Sequence, residues 1–248
     1  MQIPGIDQPG REVQRVDVPW SIKDVLLGSA AVVGAVLVFL IVVSRAASRL
    51  ESDTDWFSEG DLLGVPAPML LALVLETFFL VAVFIFAISK RGALIPQLGF
   101  VQPSGRRPYL LAVGAWLLGL LALLVWAGIT ELLGVEFLKI PEPPAELVDY
   151  SGIRLAFPLL IVGLFGPFCE EVFFRGFALP AFASRYGLRG GILISAALFS
   201  VFHFSIGAFV PIFIFGIVLA WLYVKTGSIY PSIVAHATQN IVATLLST

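Results

Sequence analysis

Glu170, His203, His236 and Asn240 stand in stretches of chain that are otherwise strongly apolar. An ionisable side chain at the centre of a membrane-spanning helix costs about 2.5–3.5 kcal/mol on insertion scales, so such groups mark function more often than decoration. The first stretch reads Pro167-Phe168-Cys169-Glu170-Glu171-Val172-Phe173-Phe174-Arg175. On a helix, Glu171 and Arg175 are four apart and share a face, with the acid on the N-terminal side, the favourable order for an ion pair. Glu170 lies about 100° further round the helix and cannot share that partner equally. The two carboxylates therefore divide: Glu171 with Arg175 is structural support, and Glu170 is left for chemistry. Phe199 precedes His203 by four residues, and His236 precedes Asn240 by four. These are the only two histidines in the chain, and both fall in apolar runs.

Carboxylate-plus-imidazole chemistry fits this set. In a low-dielectric site Glu170 can act as a general base on water, and His203 can hold and polarise that water. His236 and Asn240 can donate to the oxyanion of a tetrahedral intermediate. A competing arrangement is a zinc ion held by Glu170, His203 and His236, with water in the open position; the ligand types fit zinc, but no metal is needed to explain the set. Other hydrolytic signatures are missing. There is no Gly-x-Ser-x-Gly elbow and no His-Glu-x-x-His helix, and no span interior carries an aspartate. Read singly, each polar residue has a bland alternative: Asn240 as glue between helices, the glutamates as interfacial charges, Cys169 as a small packing residue. Glu76, in another apolar run, receives no role. The one cysteine leaves no intrachain disulfide to form.

The elements that must position these residues follow from composition. The 248 residues are 58% hydrophobic and 13% charged, with a mean hydropathy of +0.97, whereas soluble domains carry about 25% charged residues. Lipid must be the solvent for much of the chain. Apolar runs predict about seven helical spans, with six to eight admissible: Val25–Ser44, Pro66–Ser89, Tyr109–Thr130, Leu155–Leu179, Gly190–Phe204, Ile206–Val224 and Ser228–Leu246. The expected fold is thus an all-α polytopic transmembrane bundle, since backbone groups in lipid must be satisfied within each segment. Three regions are expected: a polar N-terminal segment over 1–24, transmembrane helices with an acidic loop over 25–150, and a catalytic core over 151–248. Lys90, Arg91, Arg106, Arg107, Arg185, Arg189 and Lys225 fall on one side of this arrangement. The positive-inside rule then places the N-terminus in the cytoplasm. Two acidic stretches, Glu51–Asp61 and Glu131–Asp149, lie on the opposite side as solvated loops. A net charge of −2 without a basic stripe implies no nucleic-acid partner.

At these residues the chain resembles the CAAX-protease and bacteriocin-processing (CPBP, or ABI) family of intramembrane proteases. Its pattern of Glu-Glu-x-x-x-Arg, Phe-x-x-x-His and His-x-x-x-Asn/Asp stands here, in order, as Glu170–Arg175, Phe199–His203 and His236–Asn240. The stretch Thr226-Gly227-Ser228-Ile229-Tyr230-Pro231 is also similar. The likeness spans roughly Pro167–Asn240 and leaves the first three spans unmatched. It implies a helical bundle in the cell membrane and a membrane-associated protein or peptide substrate. It further implies endopeptidase activity with Glu170 as the catalytic carboxylate and His203, His236 and Asn240 around it. CAAX-like proteins and C-terminal sorting signals are the substrate classes it suggests. Two other readings compete: a non-enzymatic immunity or scaffold protein, and a small transporter using the buried acid and imidazole as a proton relay.

Overall fold

A computed structural model describes residues 17–49, 61–62, 64–142, 144–148 and 150–247. Most of the polar segment 1–24 and of the acidic stretch Glu51–Asp61 lies outside the described residues.

Helix α1 spans Ile22–Ala47. Ser21 caps it, donating its backbone N–H and its hydroxyl to Asp24 Oδ2 at 2.9 and 2.8 Å. The same buried carboxylate accepts from Lys90 Nζ at 2.9 Å and from Arg91 Nε at 3.0 Å. Those two cations follow α2 (Ala67–Val83), which runs on through a π-helical stretch, Phe84–Ser89. The start of α1 is thereby pinned to the end of α2, and the two helices run antiparallel. A two-residue antiparallel hairpin, Asp61–Leu62 with Val65–Pro66, leads into α2. Helix α3 covers Arg107–Leu133, with Pro108 in its first turn, and stops at Gly134, whose φ of 63° closes the helix in the left-handed region.

A long helical rod then covers Gly152–Val201. It contains α4 (Ala156–Leu160), a π-helical stretch Ile161–Phe165, α5 (Gly166–Glu171), a second π-helical stretch Val172–Ala178, and α6 (Leu179–Val201). The rod is not straight. Gly187 takes φ 72° and ψ 169°, and a Cβ placed on Gly191 would lie 2.8 Å from the backbone of Ala183. Eight residues of straight helix would separate those positions by about 12 Å. The chain therefore folds back at Gly187, and two arms pack against each other. Ser195 Oγ donates to the Phe174 carbonyl across them at 2.8 Å. These two arms cover the residues expected as the fourth and fifth spans.

Helix α7 (Ile206–Thr226) is capped by Ser205, whose Oγ accepts from Ala208 N–H at 3.2 Å. Helix α8 (Tyr230–Leu246) opens with Pro231 in its first turn. The architecture is a polytopic helical bundle. Among the described residues five helices are long and apolar enough to cross a membrane: Ile22–Ala46, Ala67–Ser89, Arg107–Leu133, Gly152–Val201 and Ile206–Thr226. The core is aromatic. Phe173, Phe174, Phe177 and Phe199 are fully buried, and Phe79 of α2 meets the Phe173 and Phe174 rings at 5.1 and 5.5 Å between centroids.

Candidate active site

Glu171 and Arg175 form the predicted ion pair, with NH1 to Oε1 at 2.7 Å and both side chains essentially without solvent contact. Arg175 NH2 also donates to the Gly216 carbonyl of α7 at 3.3 Å, and its guanidinium stacks over the Phe199 ring at 4.3 Å. A buried guanidinium with a carboxylate, a carbonyl and an aromatic face is stable where a lone one would not be. The second π-helical stretch contains Arg175 and begins just after Glu171. Such stretches concentrate at functional sites.

His236 of α8 completes the cluster. Its Nδ1 lies 2.9 Å from Glu171 Oε1 and its Nε2 lies 3.4 Å from Glu170 Oε2. The Glu171 carboxylate, which only accepts, takes a hydrogen bond from Nδ1, and Nε2 faces Glu170. Glu170 keeps the freer carboxylate, with 15% of its side-chain surface open, while Glu171 has none. The pairing of Glu171 with Arg175 read from helical spacing is present in the structure.

His203 sits in the turn after α6, not inside the span where the apolar run placed it. Its Nδ1 approaches the Phe199 carbonyl at 2.9 Å. A carbonyl only accepts, so Nδ1 bears the hydrogen and Nε2 presents a lone pair. The next residue, Phe204, holds φ at 49°, a conformation costly for a bulky side chain. Phe199 stands between the two imidazoles, with its ring centroid 4.7 Å from His203 and 5.5 Å from His236. Asn240 lies one turn beyond His236 and donates Nδ2 to the Val162 carbonyl at 3.0 Å. That carbonyl belongs to the first π-helical stretch, so Asn240 also fastens α8 to the rod carrying Glu170. Among the described residues, no three His, Cys, Asp or Glu side chains stand together as a metal cage.

The structure adds one acidic group that the sequence reading left without a role. A Cβ on Gly166 would stand 3.5 Å from the Glu76 carboxyl carbon, one helical turn before Glu170. Only its position as the lone charge in the second apolar run hinted at this.

Bundle and site together define a polytopic helical membrane protein with a carboxylate–imidazole centre held inside its helices. Residues 152–242 match the family model of type II CAAX prenyl endopeptidase Rce1-like domains and are similar to that family. The matched segment opens at the start of the long rod and closes just past Asn240. Neither the curated proteins nor the solved structures yielded a match. The matched family is one of peptidases, so the likeness of this segment points to peptidase chemistry on a protein or peptide substrate.

Proposed function

We propose that Glu170 is the general base of an intramembrane endopeptidase that works without a metal. The supporting observation is the chain Arg175–Glu171–His236–Glu170, with contacts of 2.7, 2.9 and 3.4 Å. It fixes the ring of His236 and leaves Glu170 as the carboxylate with room for water. In the forward step Glu170 takes a proton from water while the water oxygen attacks the scissile carbonyl carbon. His203, through the lone pair on Nε2, accepts the second hydrogen of that water in a hydrogen bond and orients it. The negative charge on the former carbonyl oxygen is met by the Nε2 hydrogen of His236 and the second amide hydrogen of Asn240. Collapse breaks the C–N bond, and the proton held by Glu170 passes to the departing nitrogen. The products are a carboxylic acid and an amine.

In this reading the two arms of the long rod and α8 are separate crossings, making seven with α1, α2, α3 and α7. The N-terminus is cytoplasmic and the membrane is the plasma membrane. The substrate is a CAAX-like or C-terminal sorting-signal protein. The decisive experiment measures cleavage of a library of membrane-tethered peptides by the purified protein, with and without a strong chelator, beside Glu170→Gln. Cleavage abolished in the variant and kept in chelator is the expected result. Loss in chelator with recovery on adding zinc overturns the metal-free mechanism. A non-enzymatic immunity role predicts instead that protection of cells survives Glu170→Gln and His203→Ala.

A further inference from the structure

Helices α3 and α7 each close on a glycine in the left-handed region, Gly134 at φ 63° and Gly227 at φ 64°. The turn after α6 holds Phe204 at φ 49° instead, the only non-glycine with a positive φ among the described residues. That conformation is unfavourable for a bulky side chain and open to glycine. Packing does not offset the strain. Phe204 is 80% exposed, and its ring meets Phe202 at 6.3 Å between centroids. A strained residue with so little burial, one position after His203, points to a task for the ring itself.

The ring stands at the edge of a cavity of about 570 Å³, walled by Leu138, Val201, Phe204, Phe209 and Val210. This volume lies within the range of ligand pockets. No charged side chain lines the cavity, and its polar groups are committed within the chain. Ser200 Oγ donates to the Phe209 carbonyl at 2.6 Å, and Ser205 Oγ accepts from Ala208 N–H at 3.2 Å. Trp126 Nε1 donates to the Gly207 carbonyl at 2.7 Å. A polar guest would go unanswered there, so an apolar guest is the one that fits.

Cavity and hydrolytic centre share one turn. Val201 and Phe204 wall the cavity, while Phe199, a turn earlier, links the His203 ring to that of His236. An extended peptide advances about 3.3–3.6 Å per residue. A chain held with its scissile carbonyl beside His203 therefore brings a neighbouring side chain to the cavity mouth. A lipid tail asks only for apolar surface, which a turn closed on glycine would leave to Val201 and Phe209. The strained ring fits a guest that has to be selected.

We propose that Phe204 is a specificity-determining residue, its ring forming one wall of a pocket for a large apolar side chain of the substrate next to the scissile bond. The proposal rests on the endopeptidase reading and gives Phe204 a contact with substrate, not a part in bond cleavage.

The test compares wild type, Phe204→Gly and Phe204→Tyr. Thermal unfolding in detergent needs no substrate. Glycine relieves the backbone, so the midpoint of Phe204→Gly should match wild type or exceed it by about 2–4 °C. A midpoint clearly below wild type makes the ring a support of the fold and overturns the proposal. Cleavage of membrane-tethered peptides, varied at the residues flanking the scissile bond, reads the pocket. Phe204→Gly should lose about tenfold or more in kcat/KM on peptides with a large apolar residue at one flanking position. On peptides with alanine there it should stay within about twofold of wild type. Phe204→Tyr keeps the ring and should keep the preference. A wild-type preference in Phe204→Gly overturns the proposal. Equal cleavage by wild type and Glu170→Gln would instead remove the base assignment and leave the pocket standing. Binding without turnover gives a further readout: on Glu170→Gln, a peptide carrying a photoreactive leucine should crosslink to Val201 or Phe209. Crosslinks confined to other residues overturn the proposal, as does a photoreactive phospholipid that labels the cavity and is not displaced by peptide.

Discussion

The first three helices and the last four segments are built from similar residues but in opposite ways. Helix α3 turns Leu117, Leu118, Leu121 and Leu124 outward, each at least half exposed, and buries mainly small residues, Ala112, Ala115 and Gly119. The rod and α8 bury polar and charged groups instead: Glu171, Arg175, Ser195, Ser232 and His236. The apolar surface of the first region faces lipid, where it needs no specific partner. The polar interior of the second region depends on specific partners, Glu171 answering both Arg175 and His236. One region is therefore tolerant and the other is not.

The largest effect expected is on the base. Glu170→Gln should lower kcat by about 10²–10⁴-fold with the fold intact, measured by peptide cleavage and thermal unfolding together. A variant that cleaves normally would break the contrast at its centre. Next is Arg175→Met, which strands Glu171 as a buried charge and should destabilise the protein by about 3–5 kcal/mol, read from thermal unfolding in detergent. The double change Arg175→Met with Glu171→Gln should recover much of that loss, and additivity would show that the pair does not act as a unit. Gly119→Val tests whether the tolerant region touches the intolerant one. A Cβ there collides with the Phe215 ring, 2.7 Å from Cε2, and Phe215 lies 5.7 Å from His236. Stability should fall by about 1–3 kcal/mol, with a loss of cleavage that a lipid-facing change would not cause. Smallest is Leu121→Ala, expected within about 0.5 kcal/mol of wild type in the same unfolding assay.

Much of this contrast was legible before any coordinates. The pairing of Glu171 with Arg175 follows from a four-residue spacing, and the structure contains it at 2.7 Å. The apolar runs predicted a helical bundle, which is what stands here. What spacing cannot convey is contact between distant segments. The approach of Glu76 to Gly166 depends on how α2 leans on the rod, and the Asn240 bond to Val162 depends on a carbonyl that the π-helical stretch presents. The fold-back falls within the expected connection before Gly190, at Gly187, whose positive φ suits glycine, while Gly190 and Gly191 serve close packing, which spacing alone does not distinguish. His203 was read inside a span because Val201 and Phe202 continue the apolar run, and nothing in hydropathy marks where a helix gives way to a turn.

Gly119 also bears on how such a chain can change over generations. A lineage can trade one outward leucine of α3 for another and remain hidden from selection. At Gly119 the drift meets a fence, because any larger residue presses on Phe215 and through it on His236. The half of the molecule whose sequence is freest to wander is thus tethered, at one residue without a side chain, to the history of the other half.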